Sequence, residues 1–332
     1  MRQRLKRIIT GNRLLLQILN RSTGNFPKVL VYHRFAPPGT AVPHRVSADI
    51  FAWQLDNLQK DFEVISFGEC IARFLHNGVW PKGCVVLTID DGYLDMYQWA
   101  WPELARRNMT ATFFVTTRFV DGEFWLWPDQ LEYALQQTVC TSSLINIAGE
   151  QIVISLKDEG ERSAAWQLFI KHCIGSEDSQ RLSFISQVME QLAVLLPSTP
   201  PPEYCAVTWE HLQEMQKGGI EIGGHTMSHP ILSKISSDLL DREIGMGRQI
   251  LEERLGHSVR SFCYPNSGPG DINDAVVSAV DRARYSGAVF GTDLAVWDRF
   301  QVPRMGISED RIDFLWKLYG GESFAYRAKK AR

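Results

Sequence analysis

The chain has 332 residues, 45% of them hydrophobic and 22% charged, a balance that excludes a disordered or fibrous protein. Its formal net charge of −3 is too small to draw the molecule as a whole to nucleic acid. Charge is unevenly placed, however: residues 1–48 hold nine Arg/Lys and no Asp or Glu, so the remaining 26 bases face all 38 acids. Six cysteines are scattered without a CxxC pair, which argues against a zinc ribbon or redox dithiol and suits a reducing compartment.

In the first segment Leu5, Ile8, Ile9, Leu15, Leu16 and Leu19 fall at helical spacing, with arginines mostly between them. No apolar run approaches the roughly 20 residues of a membrane-crossing helix. No small-residue cleavage site follows a long apolar core, so the expected location is the cytoplasm. Two readings of residues 1–25 stay open. One is a basic amphipathic helix in peripheral contact with the anionic inner face of a membrane, through residues 1–20. The other is a helix packed on the outside of the domain with its charges solvated.

From Lys28 the pattern alternates between apolar strands and helices. Lys28-Val29-Leu30-Val31-Tyr32-His33 is a strand ending in histidine; a helix is predicted from Ser47, then a short strand at 62–65. Ser66 with Glu69 has capping-box spacing and opens a helix to about Leu75. Cys84-Val85-Val86-Leu87-Thr88-Ile89 is an almost unbroken apolar run rich in β-branched residues, as suits a strand buried on both faces of a parallel sheet. A helix over about 94–107 and a strand ending at Val115 follow. This rhythm argues for parallel α/β organisation.

Between 118 and 204 the rhythm breaks. Asp129 is placed to cap a helix through Leu131 and Ala134, and Ala148-Gly149-Glu150 sits between two apolar runs as a hairpin turn. Helices are predicted at about 161–173 and 178–195, before a proline cluster at 197–202. The segment reads as an insertion that walls the cleft or merely packs against it. Strands then return at Ile220-Glu221-Ile222, Ser261-Phe262-Cys263, Gly287-Ala288-Val289-Phe290 and Gln301-Val302-Pro303, with a long helix over about 236–255.

The chemistry collects at strand ends. Asp90 and Asp91 stand side by side after the buried strand, with Gly92 allowing a sharp turn. Two neighbouring carboxylates repel, and one is pushed neutral unless a cation lies between them. His225 and His229 stand four apart after another strand, behind two glycines and before Pro230. Two imidazoles and a carboxylate with open positions make a hydrolytic site for zinc or a related divalent ion.

Thr88-Ile89-Asp90-Asp91-Gly92, His225-Thr226-Met227-Ser228-His229 and Phe262-Cys263-Tyr264-Pro265, in this order and each at a strand end, resemble the motifs of the polysaccharide deacetylases, the NodB-homology group of carbohydrate esterases. The resemblance covers about 28–117 and 205–310. It implies an α/β fold, a distorted (β/α) barrel of about seven strands with a helical-plus-hairpin insertion. The catalytic domain then runs over 26–320, with the insertion at 118–204 and a basic tail at 321–332. The implied reaction is metal-dependent removal of N-acetyl groups from an amino-sugar glycan, whether polysaccharide, oligosaccharide or lipid-linked precursor.

Carried across, Asp91, His225 and His229 would hold the ion, zinc first, with cobalt or another first-row metal as alternatives. Asp90 would be the general base. The family's usual acid, in a C-terminal Leu-x-His, has no counterpart, since no histidine follows His257. His33 takes that place by resemblance to circularly permuted members, including exopolysaccharide deacetylases. Where the family often has an arginine that fixes the base, this chain has Cys263; Arg304 is the expected replacement, with an ordinary surface ion pair as the competing reading. The family's Pro-Tyr-Gly turn reads Pro265-Asn266-Ser267-Gly268, and the backbone N–H of Asn266 would face the developing oxyanion. Tyr32, Trp209, Trp125 and Trp127 are candidates for stacking on sugar or, more often, for core. Two other readings stand beside this one: an amidohydrolase for a small cyclic amide or formamide, and a glycan-binding relative without catalysis. The retained Asp90 argues against the second.

Overall fold

The computed structural model describes residues 2–266, 268, 270–291 and 297–322. Seven parallel positions close a barrel. Its strands are β1 (Lys28–Tyr32), β2 (Glu63–Ile65), β3 (Cys84–Ile89), β4 (Thr112–Val115), β5 (Glu221–Gly224), β6 (Ser261–Cys263), β7 (Gly287–Phe290), β8 (Val302–Pro303) and β9 (Met305–Gly306). The order around the wall is β1-β3-β4-β5-β6-β7-β8, and β9 returns to β1, with β2 an extra strand on the lower half of β3. β8 and β9 are two halves of one extended segment: Pro303 pairs with Phe290 of β7, and Met305 with Leu30 of β1. Arg304 stands at the changeover and so at the seam where the barrel closes.

The almost unbroken apolar pattern of β3 has its expected cause, since all six residues are buried. Val85, Leu87, Ile89, Phe113, Ile222 and Phe262 pack in one core with the surrounding helices; Val86, Phe114, Cys263, Val289 and Val302 form a second. Small residues are required where strands crowd. A Cβ on Gly223 would lie 2.5 Å from the Phe114 ring, and one on Gly224 would collide with the Tyr285 hydroxyl.

Register delivers the site. Tyr32 pairs with Ile89, so His33 and Asp90 leave the barrel side by side. Val115 pairs with Gly224, so His225 leaves beside Thr116.

The insertion is a small unit with its own core. It comprises helices Trp127–Gln137, Glu159–Gly175 and Asp178–Gln191 and the hairpin Ser142–Ile147/Glu150–Ser155. Leu131, Ile145, Phe169, Phe184 and Val188 fill its interior. Ala148 and Gly149 both have positive φ (55° and 90°), the two-residue turn whose twist matches a hairpin.

Some expectations need correction. The helix foreseen over 94–107 opens as a π-helical turn, Met96–Ala100, before Trp101–Ala105, because Pro102 has no N–H to continue the ladder. The helix foreseen over 236–255 is likewise interrupted by a π turn at Arg242–Met246. Asp129 is no cap: that position is Leu126, and Asp129 lies in the first turn, buried.

The N-terminal segment is two helices, Arg2–Thr10 and Arg13–Thr23, broken at Gly11 and restarted by the Asn12 side chain, which accepts from the Leu14 and Leu15 N–H groups. One face packs on the barrel: Leu16 and Leu19 are buried, Arg13 pairs with Asp61 at 2.9 Å, and Lys6 pairs with Asp313. Leu5, Ile8, Leu14 and Ile18 remain 50–70% exposed. No helix among the described residues is long and apolar enough to cross a membrane. The expected basic tail lies, from 323 on, outside the described residues.

Candidate active site

The strand ends converge as the motifs required. Asp91 Oδ1 lies 3.3 Å from Nε2 of both His225 and His229. One ligand atom from each of these residues falls within 4.8 Å of the others. Three side chains left in that geometry without a cation would hold one buried carboxylate against two imidazoles; an oxygen and two nitrogens are the donor set of a hydrolytic divalent site. The tautomer supports the same fit. His225 Nδ1 meets the Cys263 carbonyl at 2.8 Å, so it carries the proton and leaves Nε2 free as a ligand.

Local backbone explains how both histidines face one point. Asp91, Thr226 and His229 sit at φ of 79°, 68° and 57°, a left-handed region rare for non-glycine residues and frequent at functional sites. Each turn is tied down. The Asp91 carbonyl accepts from Thr116 N–H at 3.0 Å, and the His229 N–H donates to Thr226 Oγ1 at 3.0 Å. The Glu243 carboxylate accepts from the Met227 and Ser228 N–H groups, both at 2.9 Å, and from the Ser228 hydroxyl at 2.7 Å.

Asp90 is 1% exposed and is not one of these three, although its carboxylate falls within 4.8 Å of ligand atoms of His225 and Cys263 as a second candidate group. Arg304, also buried, donates from Nη1 at 2.7 Å, and is itself aimed by the Phe290 carbonyl and Thr88 Oγ1, both at 3.3 Å. The surface-pair reading of Arg304 is therefore wrong. Burial alone would raise the Asp90 pKa, but Arg304, with help from His33 and His225, holds it below the ordinary carboxylate value. Cys263 Sγ lies 3.5 Å from Asp90 Oδ2, and His33 Nε2 lies 3.6 Å from the same oxygen. His33 is exposed and stands beside Asp90, not across the site from it. Asn266 lines the cleft at φ 59°, its side-chain Nδ2 buried without a hydrogen-bond partner among the described residues.

The cleft above these groups encloses about 660 Å³, within the range of small-molecule sites. None of the four proposed aromatic platforms lines it. Tyr32 is core, its hydroxyl donating to Gln54 at 2.9 Å; Trp125 and Trp127 are buried in or beside the insertion; Trp209 donates to Asp121 at 2.8 Å under Arg254. The tryptophan that does line it is Trp166, together with Tyr93 and Tyr264; the helical pattern of its segment gave no reason to single Trp166 out. Also unforeseen is a buried network beside the metal cluster. Arg34 donates to Asp95 at 2.7 Å, stacks 3.7 Å over the Tyr93 ring and lies 3.6 Å from Asp129; the Tyr93 hydroxyl donates to Asp129 at 2.8 Å. Burial pushes Asp129 up to about 7 in spite of Arg34. Adjacency of Arg34 to His33 was the one available hint.

The sequence pattern that defines the polysaccharide deacetylases matches residues 77–162 and 174–288, more than half of the chain. The chain belongs to this family. The matched stretches include Asp90, Asp91, His225, His229 and Cys263, while His33 and Arg304 lie outside them. Among curated relatives, YxkH of Bacillus subtilis, named as a candidate polysaccharide deacetylase, is 26% identical over 116 residues, 35% of this chain and 40% of its own length. Chitin deacetylase 1 of Cryptococcus neoformans is 28% identical over 112 residues, 34% of this chain and 21% of its own length. The chain therefore spans less than half the length of either relative. The solved deacetylase PplD of Streptococcus pyogenes, in complex with acetate, superposes with a TM-score of 0.56 at 18% identity, over 87% of this chain and 95% of that one. It supports the deacetylase barrel as the fold.

Proposed function

We propose that this family member is a metal-dependent hydrolase that removes N-acetyl groups from an amino-sugar glycan. The observation that carries the reading is the pairing of an Asp91–His225–His229 cluster with a separate, arginine-held Asp90. A deacetylase name on the relatives supports it. The catalytic unit is 26–320, with 118–204 as its wall.

Asp91, His225 and His229 would hold a divalent ion, zinc before cobalt, which would supply a Lewis acid and lower the pKa of water from 15.7 toward about 7. Asp90 takes the proton of the attacking water, while Arg304, whose Nη1 lies 2.7 Å from both carboxylate oxygens, keeps the group ionised. His33 returns a proton through Nε2 to the departing amine, which cannot leave as an anion. The Asn266 N–H donates to the acetyl oxygen as it gains charge, a contribution of about 3–4 kcal/mol for a donor of this kind. Asp90 and His33 share one side of the site, so the proton travels a short path from base to acid.

Acetate release from N-acetylglucosamine oligomers by the zinc-loaded chain tests the reading. Release that disappears in Asp90→Asn supports it, and no release from any acetylated amino sugar with the metal site filled rejects it. Turnover of a small cyclic amide or formamide instead would favour the amidohydrolase alternative.

The N-terminal helices support contact with a membrane's anionic face, and with it a lipid-linked substrate. Their exposed Leu5, Ile8, Leu14 and Ile18 stand beside Arg4, Arg7 and Arg21, which make no ion pair among the described residues, as suits an anionic lipid surface. Flotation with anionic vesicles, lost in Leu14→Glu/Ile18→Glu and absent with neutral vesicles, is the expected outcome. Equal recovery with both vesicle types removes this part.

A further inference from the structure

The cleft is walled at one end by two segments that the reaction itself does not need. The excursion after β1 reaches the mouth at His44, and the insertion reaches it at Trp166. Their rings stack, with centroids 5.1 Å apart and planes at 29°. His44 is held at φ 60° in a loop closed by the Val42–Arg45 bridge and by Val46 N–H donating to the Arg34 carbonyl at 3.0 Å. Trp166 is aimed by its Nε1, which donates to the Pro128 carbonyl at 3.4 Å. Below the stack Arg34 joins the same two segments through Asp129 and the Glu203 carbonyl.

We propose that this wall makes the enzyme specific for the terminal sugar of its glycan, an inference that rests on the deacetylase reading above. A polymer threaded through a groove needs an exit on both sides of the metal cluster, and the His44–Trp166 contact occupies one of them. The chemistry of the wall suits a chain end. An aromatic face covers the apolar C–H face of a sugar ring. The carboxyls of Asp129 and Glu132, both lining the cleft, offer oxygens to the hydroxyls that only an unsubstituted end presents. The high pKa of Asp129 fits a carboxyl that is poorly solvated until a sugar hydroxyl arrives. A linkage to another sugar at that end would replace a donor hydroxyl by an ether oxygen and push it against the ring stack.

The test is positional. Zinc-loaded full-length chain is incubated with N-acetylglucosamine trimer and hexamer labelled at the reducing end, and fragment masses locate the free amine after one turnover. The wild type is expected to deacetylate one terminal residue at least tenfold faster than any internal one. Trp166→Ala and the surface variant His44→Ala are expected to raise KM about tenfold with kcat largely kept, and to let internal positions react. Free amines spread over internal residues in the wild type overturn the proposal, as does an unchanged pattern and KM in both variants. Should no glycan release acetate, the deacetylase reading falls first. Fluorescence titration of the zinc-loaded chain with the same trimer then decides the wall separately: the absence of a saturable signal that Trp166→Ala removes rejects it as well.

Discussion

Asp90 and Arg304 form a buried ion pair whose worth lies in what happens when one partner is lost. Removing the guanidinium leaves an uncompensated charge in the barrel, a loss of typically 3–5 kcal/mol, and restores the upward pull of burial on the Asp90 pKa. Arg304→Met is therefore expected to lower kcat/KM by a factor on the order of 10². Cys263 Sγ is 3.5 Å from Asp90 Oδ2, an oxygen that Arg304 also reaches, so adding Cys263→Arg to that variant should recover part of the loss. Steady-state kinetics on the two variants checks both; a double variant no better than the single one rejects the exchange of positions. Glu243 acts at the same scale but on the metal loop, where its carboxylate holds two backbone N–H groups and a hydroxyl beside His229. Glu243→Ala should weaken zinc affinity by about 10- to 100-fold, as measured by competition with a chelator, with Asp90 and Arg304 left in place.

At the scale of elements, the site depends on how closely strands approach. The β5 exit carries two glycines because the Phe114 ring and the Tyr285 hydroxyl occupy the space that a Cβ needs. Gly224→Ala is expected to destabilise by about 1–3 kcal/mol, as overpacking does, and to displace His225, the next residue. A thermal melt with and without zinc reads both effects: a lower melting temperature and a smaller upward shift on metal addition. An unchanged melt would mean that the Tyr285 ring moves aside freely. The π turns at Met96–Ala100 and Arg242–Met246 belong here too. Helical periodicity shows that a helix is present but does not show one extra residue per turn. Pro102 marks the first interruption, and Gly245, with Gly247 directly after the turn, the second.

For the whole molecule, the insertion and the barrel meet through buried charge, and that has a pH signature. Asp129 is held at about 7 by burial, against an ordinary value near 3.9 in an unfolded chain. The folded state therefore binds this proton more tightly, so the contribution to stability is greatest below about pH 4 and falls as pH rises through about 7. Asp129→Asn keeps an acceptor for Tyr93 and cannot ionise. Its stability relative to wild type should increase from pH 4.5 to pH 7.5 and then level off. Denaturant midpoints at the two pH values decide this; a constant difference would place the Asp129 proton elsewhere.

Much of this was legible in the residues themselves. Six residues, apolar except Thr88 and mostly β-branched, read as a strand covered on both faces, and an acidic pair at its end calls for a cation, so β3 and a candidate metal cluster at its end were readable from composition and order. The His225/His229 spacing and the glycines before it were equally local. The seven-stranded closure and the place of His33 followed from the family resemblance, and register then explained the latter through Tyr32 and Ile89. What only the tertiary structure decided were contacts between segments far apart in the chain. That Arg304 reaches Asp90 depends on where the barrel seam falls. That Trp166, not Trp125, Trp127, Tyr32 or Trp209, reaches the cleft depends on how a separately cored insertion docks. Side chains on a strand or helix announce their face by periodicity; which distant surface that face meets is settled by packing, which no local pattern encodes.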